Sequence, residues 1–244
     1  LLMLVERSAR NRFLALRSTN ISNLGAHAAS IIPLRKGVTI LSGLYRIPVC
    51  YYRAIDYAIA HGAQVISASW GSASSASDAR PMIEAVKRAS DAGVVFVTSA
   101  GNHGENTDRF STYPANAKFA NTITVGASTE SDTRPDWSNY GYTKVDLAAP
   151  GKSILSTLPS NRYGRMSGTS MAAPMVAGTV ALLLQDEPNL TPDQVKYRLT
   201  HTGSTILGSS TDTRSYPYLN VYSAVTGTTT QSSNTGLYAS QLLS

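Results

Sequence analysis

A serine surrounded by small residues stands directly before the most apolar stretch of the chain. Ser170 lies in the sequence RMSGTSMAAP, and an apolar run follows at residues 175–184. The run predicts a helix at residues 171–185, and the start of a helix presents free N–H groups and the positive end of its dipole. A hydroxyl placed there suits a nucleophile whose product is an oxyanion. The alternative is a plain N-cap, a position in which serine is favoured.

Four segments of the chain carry a resemblance to a known family: residues 99–102, 113–115, 146–151 and 167–174. They resemble, in the same order, segments of the subtilisin-like serine proteases (subtilases), and the resemblance extends roughly over residues 25–224. It makes Ser170 the nucleophile and Asn102 the side-chain donor of the oxyanion hole. It implies a serine endopeptidase that hydrolyses peptide bonds through an acyl-enzyme on Ser170.

The other half of the family's catalytic machinery is missing from the sequence. The family carries an aspartate and then a histidine in an HGTH-like motif upstream, and neither motif occurs here. Residues 24–34 resemble the segment that follows the family's histidine helix, so His27 falls after the place of the catalytic histidine. Residues 1–22 contain no Asp or His. The family's Asp and His therefore lie outside this chain or are lost, and we predict that the chain alone is nearly inactive.

Three further histidines have plain structural interpretations. His61 ends a predicted helix, where a cationic side chain suits the dipole. His201 follows the last predicted helix. His103 adjoins Asn102 and is the only histidine that must lie near the site, but an exposed loop residue is the favoured interpretation.

The resemblance also predicts where a peptide substrate binds. An extended peptide would pair with the strand that ends near residue 70, and its P1 side chain would enter a pocket between that segment and the oxyanion-hole segment. Small residues in the second segment predict a pocket open to large apolar side chains, or they merely permit close backbone packing. The predicted substrate-binding residues are Ser69, Trp70, Gly71, Ser99, Ala100 and Gly101.

Strand and helix patterns alternate along the chain, which predicts an α/β fold with a parallel sheet. Residues 70–71 and residues 99–102 lie at the carboxyl ends of predicted strands, so the two segments should lie near one another at one edge of the sheet. The resemblance implies the three-layer subtilisin-like fold, mainly parallel with helices on both faces and without its N-terminal part. Strands are predicted at residues 30–34, 65–70, 94–97, 122–125 and 144–147, and helices at residues 51–61, 78–91, 171–185 and 192–200.

Composition excludes several other classes. Of 244 residues 42% are apolar and 15% charged, and the net charge of +6 comes without a long basic run, so nucleic-acid binding is not expected. No stretch approaches the roughly 20 apolar residues of a membrane span. A single cysteine, Cys50, excludes an internal disulfide.

We predict a divergent segment at residues 1–23, a partial peptidase domain at 24–225 and a polar tail at 226–244.

The resemblance implies a polypeptide substrate, a monomer and a secreted location, although no signal peptide is visible. No cofactor is certain. Calcium is common in the family, but the acidic residues in the second half of the chain do not form a ligand cluster by their spacing. The acidic residues meant are Asp132, Asp136 and Asp146.

Two other functions stay open at this point. One is a catalytically inactive subtilase-like protein that binds peptides in the same groove. The other is an α/β-hydrolase, because residues 168–172 approach the G-x-S-x-G motif. That fold needs an apolar strand before the serine and then an aspartate and a histidine in that order. Residues 162–165 are not such a strand, and His201 shares a predicted helix with Asp193.

Overall fold

The computed structural model describes residues 38–41, 48–158, 161–209 and 212–228. The predicted strand at 30–34, His27, the N-terminal segment and most of the polar tail lie outside the described residues. In chain order the elements are β1 (Val38–Leu41), α1 (Pro48–Ala60), β2 (Val65–Ala68), β3 (Ser72–Ala73), α2 (Arg80–Asp91), β4 (Val95–Ser99), β5 (Thr112–Tyr113), β6 (Thr122–Ser128), β7 (Leu147–Pro150), β8 (Ile154–Leu158), β9 (Arg162–Met166), α3 (Thr169–Asp186), α4 (Pro192–His201), β10 (Thr205–Ser209), β11 (Asp212–Pro217) and α5 (Val221–Thr226).

A five-stranded sheet in the order β1-β2-β4-β6-β7 forms the centre of the fold, and every neighbouring pair is parallel. All residues of β2, β4 and β6 are buried. Strands covered on both faces read as continuous apolar runs, which is how β4 appeared in the sequence. Because all the strands point the same way, Ser69 and Gly101 follow strands that end at one edge of the sheet.

Helices cover both faces of the sheet and complete a three-layer α/β fold. On one face α3 packs its Val176, Val180 and Leu183 against the strands. On the other face α1 and α2 pack Ile55 and Val86 against the sheet. The predicted α/β class with helices on both faces is confirmed.

Helix ends follow the local sequence closely. The N-cap of α4 is Thr191, which accepts a hydrogen bond from the backbone of Gln194, and the Gln194 side chain accepts one from the backbone of Thr191. This capping box fixes the start of α4. Helix α1 begins at Pro48, earlier than the predicted residue 51, because proline is well tolerated in the first turn.

Two antiparallel hairpins, β8–β9 and β10–β11, were not predicted, and the strand expected at 144–147 lies instead at Leu147–Pro150. Residues 162–165 do belong to a strand, but β9 is exposed over most of its length and pairs only with β8. These short strands lack the regular apolar alternation by which strands are recognised in a sequence. The strand before Ser170 is therefore not the buried central strand that an α/β-hydrolase requires.

A charged cluster lies where β7 begins. The Asp146 carboxylate contacts Lys118 Nζ at 2.5 Å and Lys196 Nζ at 2.8 Å, and it accepts a hydrogen bond from the backbone of Thr124 at 2.7 Å. Lys196 Nζ also donates to the carbonyl of Thr122. All three charged side chains are largely buried. Burial, followed by the charges of Lys196 and Lys144, lowers the pKa of Lys118 more than Asp146 raises it.

This lowered pKa predicts a pH-dependent stability. The relevant pH range lies between the pKa of Lys118 in the folded state and about 10.4, its pKa in unfolded chains. In this range Lys118 is protonated to a greater extent in the unfolded state than in the folded state. The contribution of Lys118 to the free energy of unfolding should therefore rise with pH across this window and be lost again as pH falls. Urea unfolding at several pH values, compared with Lys118→Arg, measures it, because arginine stays charged throughout. Parallel pH profiles for the two proteins would contradict the prediction.

Candidate active site

Ser170 lies in the first turn of α3, the most thoroughly buried helix. It is half-buried, and its Oγ donates a hydrogen bond to the carbonyl of Ser69, at the end of β2, over 3.3 Å. A backbone carbonyl holds a hydroxyl proton but cannot remove it as a general base would. This contact therefore holds the Ser170 hydroxyl against the end of β2 but supplies no base for it.

A proline explains how the helix start is joined to the sheet. Pro174 lies inside α3 and has no N–H to donate to the carbonyl of Ser170, four residues earlier. That carbonyl instead accepts a hydrogen bond from Ser69 Oγ at 2.9 Å. Two reciprocal hydrogen bonds between Ser69 and Ser170 therefore fix the candidate nucleophile against the end of β2.

Asn102 lies beside the same helix start. Its Oδ1 accepts hydrogen bonds from the backbone N–H of Thr169 at 2.8 Å and from Thr169 Oγ1 at 2.9 Å. Thr169 Oγ1 in turn accepts a hydrogen bond from the backbone of Gly101. The Nδ2 end of the amide lies 3.4 Å from the place of a Cβ on Gly168. The structure therefore brings Asn102 to the residues that adjoin Ser170, and its side chain is exposed to solvent.

The segment after β2 runs along the edge of the site. Ser69 and Trp70 are half-buried and Gly71 is exposed. The Trp70 ring stacks on Tyr51 with centroids 4.2 Å apart and packs against the core on the α1 and α2 side. A Cβ on Gly71 would lie 3.0 Å from the carbonyl of Tyr113, so a glycine permits the close approach of the two segments.

The segment after β4 is more enclosed than its small residues alone suggest. Ser99 and Ala100 are buried, and the Ala100 N–H continues the sheet by donating to Val125. Gly101 is half-buried and has a φ of +108°. For Ser99 and Ala100 these positions favour the close-packing alternative, because little of either side chain is left to line a pocket.

Two of the described histidines, His61 and His201, contact tyrosines of α1 and α4, respectively. His61 Nδ1 lies 2.8 Å from the carbonyl of Tyr57, and His201 Nδ1 lies 3.0 Å from that of Tyr197. Each ring also stacks on the tyrosine four residues earlier. His61 follows α1, just before β2 begins, and so lies at the end of the sheet opposite Ser69. His103 is exposed in the loop that carries Asn102.

Two residues of the site escaped the sequence analysis. Thr169 holds the amide of Asn102, and Asn139 hydrogen bonds to the loop around Asn102. Thr169 adjoins the serine, so its position in the motif was the only available signal. Asn139 lies in a polar connection without periodicity, and nothing in its own segment indicates burial.

Neither a metal centre nor a membrane segment is found in the part of the chain that the structure describes. No group of three or more His, Cys, Asp or Glu side chains there could hold a metal ion. No helix among the same residues is long and apolar enough to cross a bilayer.

The chain is similar to known proteins over most of its length. A sequence profile of the subtilase family matches residues 48–234. Subtilisin amylosacchariticus of Bacillus subtilis subsp. amylosacchariticus is 36% identical over 205 residues, which is 78% of this chain and 52% of that protein. Subtilisin of Bacillus pumilus is also 36% identical over 205 residues, covering 78% of this chain and 72% of that protein. This chain thus spans about half the length of some of the relatives that it matches.

A solved structure shows the same likeness in three dimensions. The crystal structure of a cold adapted subtilisin-like serine proteinase superposes with a TM-score of 0.62 at 34% identity. The match covers 70% of this chain and 61% of that one.

Proposed function

From the premise that this chain belongs to the subtilase family, we propose that it is part of a serine endopeptidase whose nucleophile is Ser170. In this proposal Ser170 Oγ attacks the peptide carbonyl, and Asn102 donates a hydrogen bond to the oxyanion that forms. The observation that carries the proposal is the pair of hydrogen bonds from Thr169 to Asn102 Oδ1, which hold that amide beside the nucleophile.

The two ends of the Asn102 amide have separate tasks in this proposal. Oδ1 is occupied by Thr169, so Nδ2 is the end left to meet a substrate oxygen. The backbone N–H of Ser170, in the first turn of α3, is among those that have no partner within a helix and can be the second donor. A neutral amide suits the task because it stabilises negative charge without titrating.

The base and its carboxylate are proposed to lie outside this chain or to be lost. In subtilisin, removing the triad lowers turnover by about 10⁶ and leaves roughly 10³–10⁴ over water, from the oxyanion hole and substrate binding. The hydrogen bond from Ser170 Oγ to a backbone carbonyl supports the same view, because nothing in that contact accepts the proton during attack. The chain by itself is therefore proposed to be a very slow enzyme.

The substrate is proposed to be a polypeptide bound as an added strand along Ser69, Trp70 and Gly71. Main-chain hydrogen bonds would supply affinity, and side-chain pockets would supply preference. Because Trp70 is stacked on Tyr51 and Ala100 is buried, the P1 pocket would be shaped mainly by backbone and by one face of the indole. A secreted location stays a prediction from the resemblance.

Labelling with a fluorophosphonate tests the proposal. The reagent forms an O–P bond to a serine and releases fluoride, and the adduct places an oxygen in the oxyanion hole. In the 244-residue chain, mass spectrometry should find Ser170 modified roughly 10³ times faster than the other serines but about 10⁶ times slower than the serine of an intact subtilisin. Ser170→Ala is the control that shows which adduct is measured.

Two results would contradict parts of the proposal. Rapid stoichiometric labelling of Ser170 would show that a base is present within this chain. Labelling of Ser170 no faster than that of the other serines would overturn the nucleophile assignment and favour the peptide-binding alternative.

A further inference from the structure

Residues 100–105, here called the oxyanion loop, contact a single buried side chain at several points. Asn139 Nδ2 donates to the carbonyl of Ala100 at 3.0 Å. Asn139 Oδ1 accepts from the backbone N–H groups of His103 at 2.9 Å and Glu105 at 3.0 Å. The backbone N–H of Asn139 donates to the carbonyl of Gly101 at 2.9 Å. One residue thus satisfies four backbone groups of a six-residue loop.

The chemistry of this contact requires a carboxamide. Two N–H groups need an acceptor and one carbonyl needs a donor, and among side chains only Asn and Gln offer both in a fixed planar arrangement. Asn139 is completely buried, so water cannot replace these hydrogen bonds when they are lost. A Cβ on Gly101 would lie only 2.4 Å from Asn139 Nδ2, so the loop backbone lies directly against the amide.

Backbone hydrogen bonds also join the oxyanion loop to the residues on both sides of Asn139. Gly104 donates to the carbonyl of Trp137 at 2.9 Å, and Tyr140 donates to the carbonyl of Glu105 at 3.0 Å. The segment that contains Asn139 therefore runs alongside the loop. Within it, Asn139 is the residue whose side chain reaches across to Ala100, on the other side of Asn102.

We propose that Asn139 is the positioning residue of the oxyanion loop, acting through the loop backbone to hold the Asn102 side chain against Thr169 and over Ser170. The inference rests on the proposed function for the role of Asn102. The positioning itself is a structural claim that can be measured without activity. In this proposal Asn139 acts on the loop backbone and takes no part in bond making.

Thr169 supplies a reporter for this claim. Its N–H stands at the first position of α3, where no intrahelical partner exists, and it is bonded to Asn102 Oδ1. Asn139 can influence the exchange of this amide hydrogen only through the loop and Asn102. A merely structural contribution of Asn139 would instead accelerate exchange throughout the sheet.

Amide hydrogen exchange in the 244-residue chain and in Asn139→Ala tests the proposal. We expect the amides of His103, Glu105 and Thr169 to exchange at least about tenfold faster in the variant, because their hydrogen bonds are lost or loosened. The amide of Phe96, in β4, reports opening of the whole sheet and should change by a much smaller factor. Unchanged protection of Thr169, or equal acceleration of Phe96 and Thr169, would overturn the proposal.

Two further variants keep the result decisive. Asn139→Asp retains the acceptor for His103 and Glu105 but faces Ala100 with an oxygen, so it preserves more of the fold and should still expose Thr169 more than Phe96. Asn121→Ala is the matched control, since Asn121 is equally buried and donates to the carbonyl of Val94 at the far end of the sheet. It should not expose Thr169 selectively.

Labelling of Ser170 separates this inference from the proposed function. If the proposed function and the positioning role both hold, Asn139→Ala slows labelling of Ser170 in the parent protein. The same substitution should slow labelling little further in a protein that already carries Asn102→Ala, since the two substitutions act through the same Asn102 amide. If Asn102→Ala leaves labelling unchanged while Thr169 still loses protection in Asn139→Ala, the oxyanion role fails and the positioning role stands. Additive losses in the double variant would contradict positioning through Asn102.

Discussion

Replacing Asp146 by alanine is expected to lower the free energy of unfolding by about 3–5 kcal/mol, because two buried ammonium groups lose their shared counter-charge. Lys118 and Lys196 would then repel one another at a site where water reaches them poorly, and the backbone of Thr124 would lose its acceptor. A domain is stable by only about 5–15 kcal/mol, so much of its stability would disappear. Urea denaturation at neutral pH measures the loss.

Two controls define what the Asp146 result means. Asp91→Ala removes an exposed partner of Lys87 on α2 and should cost less than about 0.5 kcal/mol. Replacing all three charges, as Asp146→Leu with Lys118→Met and Lys196→Met, should recover much of the loss, because well-packed apolar groups often replace a buried ionic cluster at little cost. A loss for Asp146→Ala as small as that for Asp91→Ala would show that the cluster is effectively solvated.

The central sheet and its main helices could be predicted because each carries its own signal. Strand β4 appears as an apolar run with a glycine before it, and α4 begins with a capping box. Strands β8 and β9 carry no such signal, since β8 is only half-buried, β9 is mostly exposed, and neither shows a regular alternation of apolar and polar residues. Their pairing is decided by contact with each other, which a local pattern does not contain.

The candidate site divides in the same way. Ser170 and Asn102 could be predicted as candidates because each lies in a short segment that resembles a known family, and the structure brings the two segments together. The ties between Ser69 and Ser170 and the placement of Asn139 could not be predicted, because they join residues far apart in the chain. The cluster around Asp146 is a further example: its sequence segment was recognised, but its partners Lys118 and Lys196 lie in other elements.

Replacing Asn102 by alanine is expected to slow fluorophosphonate labelling of Ser170 by about 10²–10³-fold, a figure known from loss of the corresponding kind of donor in subtilisin. The reason is that the phosphoryl oxygen, which gains negative charge in the transition state of the attack, loses its side-chain donor, while the backbone N–H of Ser170 remains. Ser170 should then react at a rate close to that of an ordinary exposed serine. Labelling rates followed by mass spectrometry measure the change.

Asn102→Asp sharpens the interpretation, since loss of a donor must be separated from damage to the helix start. A carboxylate can still accept from the N–H and hydroxyl of Thr169, but it presents an oxygen where Nδ2 was. It should therefore preserve the start of α3 and yet slow labelling at least as much as alanine does, because two negative oxygens repel. Asn106→Ala is the matched control, since Asn106 lies in the same loop region and its Oδ1 accepts a hydrogen bond from the backbone of Asp108; this variant should label at the parent rate. Faster labelling of Asn102→Asp than of Asn102→Ala would mean that Asn102 acts by holding Thr169 and not by donating to the oxyanion.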